Sequence, residues 1–191
     1  MTQNTRTALL DNAEILVRQR GFDGFSYADL AAAIGIRKAS IHYHFPTKAA
    51  LSLALMERYH AGMEATCATI DAHENRASDR LLSLIAHYRD ALSTGGLVCL
   101  CVSLSASPAS LSTAVLDSIV AFREMVLAWL RKTYALALED GSIRDASDVS
   151  QEAHATLAML EGAHLAARVT SDPAAFDHSV AILKMRCCTP D

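Results

Sequence analysis

The stretch from residue 26 to residue 48, SYADLAAAIGIRKASIHYHFPTK, constrains the fold of this chain more than any other. Ser26 and Asp29 have the spacing of a capping box, in which each side chain accepts a hydrogen bond from the backbone of the other residue. Apolar residues then recur at helical spacing as far as Ile34. Gly35 can take the positive φ that ends a helix. A second helix is therefore predicted to begin a few residues later, turned against the first.

The second predicted helix, Arg37–His44, is too short to be stable alone and mixes two kinds of side chain. Ile41 and the adjoining Phe45 are predicted to face the core. Most of the remaining side chains are cationic or short and polar, which suits DNA phosphates and base edges. For Tyr43, packing in the core and contact with DNA both stay open. Two short helices around a glycine turn have the geometry of a helix-turn-helix, so this helix is predicted to face DNA.

Residues 26–51, and the string IHYHFPTKAAL above all, resemble the DNA-binding segment of the TetR family of bacterial transcriptional regulators. In that family an aromatic-aromatic-His-Phe string precedes a Ser/Thr-Lys-x-x-Leu helix start. The resemblance implies that Arg37–His44 is the recognition helix and that Lys48 meets a phosphate from the start of the next helix, where Thr47 is the predicted N-cap. The candidate DNA-binding residues are Tyr27, Arg37, Lys38, Ala39, Ser40, His42, Tyr43, His44, Thr47 and Lys48.

Two residues depart from the family pattern. Arg37 stands where the family usually has Ser or Thr, so a normal helix cap is missing and a charge is added. His42 stands where the family usually has Tyr, so a phenol is replaced by an imidazole, a group that titrates near neutral pH. His42 and His44 point about 200 degrees apart around a helix, and we therefore predict no metal site between them.

Charge and composition favour a DNA-binding head attached to a different kind of body. Residues 1–60 carry seven Lys and Arg against five Asp and Glu, whereas the rest carries ten against sixteen. The hydrophobic content of 51% indicates a self-association surface, an apolar cavity or both. The apolar run 97–106 is shorter than the roughly 20 residues of a membrane span. Because the polar N-terminus shows no signal peptide either, we expect a cytoplasmic protein without membrane contact.

Apolar periodicity predicts an all-α chain with about nine helices. The expected architecture is a three-helix helix-turn-helix head, residues 1–47, followed by a helical ligand-binding and dimerisation domain, residues 48–191. The helices are predicted at about 5–20, 27–34, 37–44, 48–72, 79–93, 97–107, 112–140, 149–170 and 174–186. Gly95 and Gly96 are predicted to end the fifth helix, and the fourth helix is the natural connector between the head and the body.

The last two predicted helices are candidates for a dimer seam because they are rich in small and apolar residues. The family resemblance also implies dimerisation through these helices, and a two-fold protein places two recognition helices about one DNA turn apart. The alternative is that they only cover the core of their own subunit. The residues predicted at the seam are Leu157, Leu160, Gly162, Phe176, Val180 and Leu183.

The body is the expected sensor, since the resemblance implies an apolar ligand cavity among helices four to eight. The candidates, each of which can instead be core packing, are Met63, Tyr88, Phe122, Met125, Trp129 and His164. The segment LVCLCVSLSAS also resembles part of a TetR subgroup in which some members sense electrophiles or oxidants through a cysteine, so Cys99 and Cys101 are candidate sensors. A buried, inert thiol is the alternative for both. A reactive thiol needs a nearby cation or a helix N-terminus, and His87 and Arg89 on the preceding helix are the candidate cations.

These features predict a homodimeric, ligand-responsive transcriptional regulator. It is expected to be a repressor that a small-molecule inducer releases from a palindromic double-stranded DNA operator. No nucleophile–base pair, phosphate loop or metal motif emerges, so neither an enzyme nor a cofactor is predicted. Two alternatives stay open: a helical enzyme or carrier for an apolar small molecule, and a dimeric interaction protein without DNA binding, which the missing cap at Arg37 favours.

Overall fold

The computed structural model describes residues 2–93 and 97–187, and Gly95 and Gly96 lie outside this part of the chain. The helices are α1 (Thr2–Arg20), α2 (Tyr27–Ile34), α3 (Lys38–His44), α4 (Lys48–His73), α5 (Ala77–Ser93), α6 (Leu100–Ser105), α7 (Thr113–Asp140), α8 (Val149–Thr170), α9 (Ala174–Ser179) and α10 (Ala181–Arg186). A single 3-10 turn covers Pro108–Ser110. The only β pairing among the described residues is one isolated bridge between Ile143 and Cys187. The predicted all-α class is therefore confirmed.

The predicted ends of α2 are confirmed, because they depend on residues close together in the sequence. The Ser26 hydroxyl accepts from the backbone N–H groups of Ala28 and Asp29, and the Asp29 carboxylate accepts from the Ser26 N–H at 2.7 Å. At the other end Gly35 has φ of +74°, and its N–H donates to the Ala31 carbonyl at 2.9 Å. The capping box and the left-handed glycine therefore bound α2 as the sequence predicts.

Two predicted helices differ from the observed ones. The helix predicted at 97–107 is only six residues long, Leu100–Ser105, and Cys99 precedes it with a non-helical backbone, φ −49° and ψ 134°. The last predicted helix is divided into α9 and α10 at Val180, where ψ is close to zero. Phe176 before this break and Leu183 after it are both buried, so the bend keeps both halves packed on the core. The described residues therefore form ten α-helices and not nine.

The chain forms two compact units whose boundaries fall inside α4 and α7. One unit comprises Met1–Ala61 and Cys99–Phe122, and the other comprises Gly62–Val98 and Arg123–Asp191. We call them the head unit and the body unit. The head unit therefore contains α1 to α3, the start of α4, α6 and the start of α7. The predicted boundary after residue 47 did not include these later segments. The predicted functional domains, residues 1–47 and 48–191, stay a prediction.

The head unit is organised around α1, which packs against α2 and α6, while α2 packs against α3. Its core contains the fully buried side chains Leu9, Leu30, Ile41, Leu51 and Leu55. The Ser103 hydroxyl of α6 donates to the Arg18 carbonyl in the last turn of α1 at 3.1 Å. Since both α3 and α6 contact helices that share this core, the position of α3 depends on long-range packing and not on its own seven residues.

The body unit is built from α5, α8 and α9 with the later part of α7. Inside it, the hydroxyl groups of Tyr134 and Thr156 lie 2.6 Å apart, so these two buried polar groups satisfy each other across α7 and α8. Arg186 makes a bidentate ion pair with Glu152, at 2.9 and 2.6 Å, which ties the end of α10 to α8. None of the helices in residues 2–93 and 97–187 has the length and apolar character needed to cross a membrane.

Candidate DNA-binding site

Helix α3 has one buried side and one exposed side, and most of the candidate residues lie on the exposed side. Ile41 is completely buried, and Phe45, directly after the helix, is 3% exposed, so both are core residues as predicted. The Tyr43 side chain is 77% exposed, which favours the open alternative of DNA contact over packing. The other exposed side chains on or next to the helix are Arg37, Lys38, Ala39, Ser40 and His42.

Two cations of the head unit, Arg37 and Lys38, lie side by side at the start of α3. Both side chains are exposed, and neither side chain forms a hydrogen bond or ion pair with the rest of the described chain. Arg58, in contrast, is neutralised by Asp11 at 2.6 Å and Glu14 at 2.7 Å. The free cations of this segment therefore lie where a polyanion can reach them.

Arg37 precedes the helix in an extended conformation and provides no side-chain cap, as its identity predicts. The Ser40 N–H nevertheless donates to the Arg37 carbonyl at 2.9 Å. At the start of α4 the Thr47 hydroxyl accepts from the Ala50 N–H at 3.0 Å, so the predicted N-cap is confirmed. The missing cap therefore does not prevent α3 from forming, and this weakens the case for a head without DNA binding.

Tyr27 is a positioning residue and not part of the exposed surface, which corrects its place among the predicted DNA contacts. Its side chain is 8% exposed, and its hydroxyl donates to the Phe45 carbonyl at 2.9 Å. Burial raises the pKa of the Tyr27 phenol to about 12, so the donor proton is retained at physiological pH. The hydrogen bond joins the first turn of α2 to the residue that ends α3, and it holds α3 against the core.

Lys48 is turned towards the protein, a role that sequence reasoning missed. Its ammonium group donates to the carbonyl oxygens of Phe22 at 2.5 Å and Phe25 at 2.7 Å. It also lies 4.4 and 4.3 Å from the centres of these two phenyl rings. Burial lowers the pKa of the Lys48 amine, an effect that the charges of Asp23 and Asp29 oppose. Lys48 thus anchors the start of α4 to the segment between α1 and α2, and its phosphate contact stays a prediction.

An open groove of about 380 Å³ lies beside the exposed face of α3. It is lined by Thr5, Ala39, Ser40, Tyr43 and His44. On the same helix as Thr5, the guanidinium of Arg6 lies 5.2 Å from the centre of the Phe45 ring. Neither Thr5 nor Arg6 was among the predicted site residues, because no motif within α1 marks them. Only packing of α1 against the helix-turn-helix brings them to this surface.

The predicted ligand-cavity residues are distributed between the two units. Phe122 belongs to the head unit, where its ring lies 5.2 Å from that of Tyr59, and the other five candidates belong to the body unit. There the rings of Tyr88 and His164 lie 5.2 Å apart, and the His164 Nε2 donates to the Tyr88 carbonyl at 2.8 Å. The Trp129 indole donates to Asp71 at 3.1 Å. The structure thus brings Tyr88 and His164 together, and the role of all six in ligand binding stays a prediction.

The two candidate sensor cysteines lie in the head unit and have different neighbours. Cys99 and Cys101 are both free thiols with 1% exposure. The side chain of Cys99 is hydrogen-bonded to that of Tyr59, whose phenol has a pKa well above its ordinary value because it is buried and because Cys99 is close. The guanidinium of Arg18 lies 5.8 Å from the Tyr59 ring and opposes this shift. The Cys101 sulfur lies 4.0 Å from the Met56 sulfur.

Cations for these thiols were predicted from the preceding helix, but Arg89 forms an ion pair with Asp177 at 2.8 Å within the body unit. The cation beside the Cys99–Tyr59 pair is Arg18. Arg18 is 81 residues from Cys99 in the sequence, so no local pattern pointed to it. No group of three or more His, Cys, Asp or Glu side chains in the described part of the chain is arranged to hold a metal ion.

The prediction of the dimer seam is wrong for five of its six residues. Leu157, Leu160, Phe176 and Val180 are completely buried within this single chain, and Leu183 is 4% exposed, so they cannot also cover a second subunit. Gly162 alone of the six is exposed. The period of an amphipathic helix shows that a stripe exists, but not whether it faces its own core or a partner. For these five residues the alternative of covering their own core is correct.

A different stripe on the same helices is exposed. On α8 it follows a spacing of three and four residues through Ala155, Ala158, Gly162, Leu165 and Val169. Leu165 is 46% exposed and Val169 is 85% exposed. On α10, Ile182 and Met185 are 53% and 63% exposed. We call these seven residues the α8–α10 stripe.

Two family models and several known proteins match this chain. Residues 9–55 match the family model of bacterial regulatory proteins of the tetR family, and residues 77–183 match that of the tetracyclin repressor-like C-terminal domain. The HTH-type transcriptional repressor NemR of Escherichia coli is 26% identical over 190 residues, which cover 98% of this chain and 96% of NemR.

Two solved structures have the same fold over nearly the whole chain. A TetR-family transcriptional regulator from Agrobacterium tumefaciens has a TM-score of 0.93 at 26% identity, covering 99% of this chain and all of that one. The reduced form of E. coli NemR has a TM-score of 0.80 at 27% identity, covering 98% of each chain. These relatives are named as transcriptional regulators. Of the alternatives left open by the sequence, the comparisons therefore support a regulator and not a helical enzyme or carrier. The chain belongs to the tetR family of bacterial regulatory proteins.

Proposed function

We propose that this protein is a homodimeric repressor that holds a palindromic DNA operator through α3 and releases it when a small molecule acts on the chain. The proposal depends above all on the outer side of α3. That side presents the free cations Arg37 and Lys38 and the hydroxyl of Ser40, on a helix that Tyr27 and Lys48 support from within. A rigid cationic helix with short hydrogen-bonding side chains is suited to the major groove.

The α8–α10 stripe is our proposed dimer interface. Its small residues on α8 allow two helices to approach closely, and its large apolar residues near the helix ends are otherwise exposed to water. Four helices, two from each subunit, would bury these side chains together. A dimer of this kind carries two copies of α3, which matches the two half-sites of a palindromic operator.

Release by a small molecule requires that the ligand prefer a conformation with lower DNA affinity. We assign the transmission to α4, because this helix of 26 residues contributes Lys48–Ala61 to the head unit and its later residues to the body unit. Lys48 at its first turn contacts the segment before α2, so a displacement of α4 changes the support of the helix-turn-helix. As a DNA-binding regulator the protein acts in the cytoplasm.

The inducer class that these residues favour is an electrophile or oxidant that modifies Cys99. The Cys99 side chain is hydrogen-bonded to the Tyr59 phenol, and the Arg18 guanidinium lies beside the Tyr59 ring. The backbone carbonyl of Arg18 accepts the hydrogen bond from the Ser103 hydroxyl of α6. Because Cys99 is buried, an added group cannot be accommodated without moving α6. The contact of α6 with the last turn of α1 then carries the change to the helix-turn-helix. The crystal structure of E. coli NemR is described as a reduced form, so redox state is a property distinguished in this relative.

The DNA-binding proposal is tested by fluorescence anisotropy with a labelled duplex from upstream of the protein's own gene. Wild type is expected to bind specifically, with an affinity that falls steeply as salt rises. Lys38→Met is expected to weaken binding to all sequences alike, whereas Ser40→Ala is expected to change the preference among operator variants. Lys132→Met is the matched control, since Lys132 is an exposed lysine on α7 of the body unit. Equal losses in the Lys38 and Lys132 variants would contradict the assignment of α3.

A further inference from the structure

His42 lies on one exposed flank of α3, and two contacts fix its ring. Its Nδ1 atom lies 3.2 Å from the Pro46 carbonyl oxygen, in the connection between α3 and α4. The edge of the ring packs against Tyr27 of α2, with the ring centres 4.9 Å apart and an angle of 63° between the planes. Tyr27 is itself held by its bond to Phe45. The orientation of this exposed imidazole is thus set by two neighbouring segments.

The contact with Pro46 determines which nitrogen of His42 carries the proton. A carbonyl oxygen only accepts hydrogen bonds, so Nδ1 must be the donor. A neutral imidazole has a single N–H group, and Nε2 is therefore left with a lone pair. Nε2 has no partner within residues 2–93 and 97–187. In its neutral form, His42 thus offers only an acceptor to anything that approaches the flank of α3.

The position of His42 on the helix points to the DNA backbone as its partner. Ala39 and Tyr43 lie opposite the buried Ile41, at the crest of α3, while Lys38 lies one turn before His42 on the same flank. When a helix enters the major groove, its crest meets the base edges and its flanks approach the phosphates. A phosphate oxygen, like a carbonyl oxygen, only accepts hydrogen bonds. Neutral His42 would therefore bring one acceptor against another.

We propose that His42 binds an operator phosphate as an imidazolium, so that each head takes up a proton when it binds DNA. In the protonated ring Nδ1 continues to donate to Pro46 while Nε2 donates to the phosphate. This inference rests on the proposed DNA-binding function. A phenol at this position, as in the family pattern, would donate at any pH near neutrality and would not create the dependence.

None of the groups that contact His42 in the described chain carries a negative charge, so the negative charge that favours its imidazolium is that of the DNA phosphate. Tyr27, which faces His42 from α2, is buried and stays neutral, and Pro46 is uncharged. Lys38 on α3 is a cation and disfavours a second positive charge. No carboxylate contacts His42 in the part of the chain that the structure describes. The proposed proton uptake is therefore attributed to the phosphate that DNA brings to His42.

The sign of the pH dependence follows from the proton count. The complex binds more protons than the free protein, so operator affinity is full at low pH and is lost as pH rises through the range where imidazoles titrate. For each His42 the logarithm of the affinity constant falls by at most about one per pH unit, and thus by about two for a dimer. The pairing also adds one salt-dependent phosphate contact per head at low pH.

The test compares operator binding by wild type, His42→Gln and His42→Tyr at constant ionic strength between about pH 6 and pH 8. Wild type is expected to lose at least about tenfold in affinity across this range. His42→Gln should bind more weakly at the low end and show little pH dependence, and His42→Tyr should bind at both ends with little pH dependence. His73→Gln is the matched control, since His73 is an exposed histidine at the end of α4 in the body unit, and it should retain the wild-type pH profile.

Calorimetry in buffers of different ionisation enthalpy provides a second readout, because it counts the protons taken up on binding. Wild type should take up protons near neutral pH and both His42 variants should not. Proton uptake that persists in His42→Tyr, or a pH dependence abolished in His73→Gln, would overturn the assignment while leaving DNA binding intact. Absence of specific binding by wild type at every pH would instead refute the proposed function.

Discussion

The opposite orientations of Lys38 and Lys48 lead to a prediction that separates a DNA contact from a structural anchor. Both lysines were predicted to meet phosphates. Lys38 is exposed and has no partner in the described chain, whereas Lys48 donates to two carbonyl oxygens and lies over two phenyl rings. Replacing each by Met removes the charge and keeps most of the apolar side chain. The two variants should therefore fail in different ways.

For Lys48→Met we expect a loss of about 2 kcal/mol in the free energy of unfolding. A hydrogen bond from a charged donor contributes roughly 1.5–3 kcal/mol net, and an exposed cation–π contact contributes roughly 0.5–1 kcal/mol. The sum must be reduced, because the ammonium loses hydration on folding, as the lowered pKa of Lys48 shows, and because the side chain is only partly buried. Lys38→Met is expected to change stability by no more than about 0.5 kcal/mol.

The assay combines urea unfolding of each free protein with operator binding across a salt series. Removing a phosphate contact lowers the slope of log affinity against log salt by about 0.9, and therefore by about 1.8 for a dimer. Lys38→Met should show this reduction with an unchanged urea midpoint. Lys48→Met should show a lower urea midpoint and, at salt and temperature where it remains folded, the wild-type salt slope. An unchanged urea midpoint together with a reduced salt slope in Lys48→Met would refute the anchor and restore the phosphate contact.

Three further predictions concern other parts of the chain. Val169→Glu should shift the sedimentation mass from two chains to one and weaken operator binding, and a persistent dimer would exclude the α8–α10 stripe. Cys99→Ser should keep operator binding but resist release by an alkylating agent, while Cys101→Ser should respond like wild type; equal release of both would rule out the thiol sensor. Ser26→Ala should cost about 1 kcal/mol by removing the α2 cap. Hydrogen bonds from Ser26 lower the pKa of the Asp29 carboxyl in the folded protein. The stabilisation that they provide is therefore present above the pKa of an unfolded Asp, near 3.9, and is lost as pH falls through the folded pKa. The difference in unfolding free energy between wild type and Ser26→Ala should accordingly become smaller in acid.

Sequence reasoning succeeded where the deciding contacts are local. The capping box of Ser26 and Asp29, the left-handed Gly35 and the Thr47 cap each involve residues within four positions of one another. Such contacts form with the same geometry in almost any fold, so residue identity and spacing suffice to predict them.

Sequence reasoning failed where a choice between faces had to be made. The apolar positions of α8 form two stripes, and both have helical spacing. Leu157 and Leu160 face the core of the same chain, while Leu165 and Val169 face outward. Periodicity is a property of one helix, whereas burial depends on which neighbours surround it, and so the sequence alone could not show which stripe faces outward.

By itself, the amino-acid sequence determined that this protein is helical, that a short helix follows a glycine turn near residue 35, and that its family is TetR. The tertiary structure alone decided that Lys48 faces inward, that Tyr27 supports α3, and that Cys99 shares a compact unit with the helix-turn-helix. The partners of Lys48 are 23 and 26 residues away. Helix boundaries depend on backbone bonds within a turn, but the direction of a side chain depends on packing between segments that the chain brings together only when it folds.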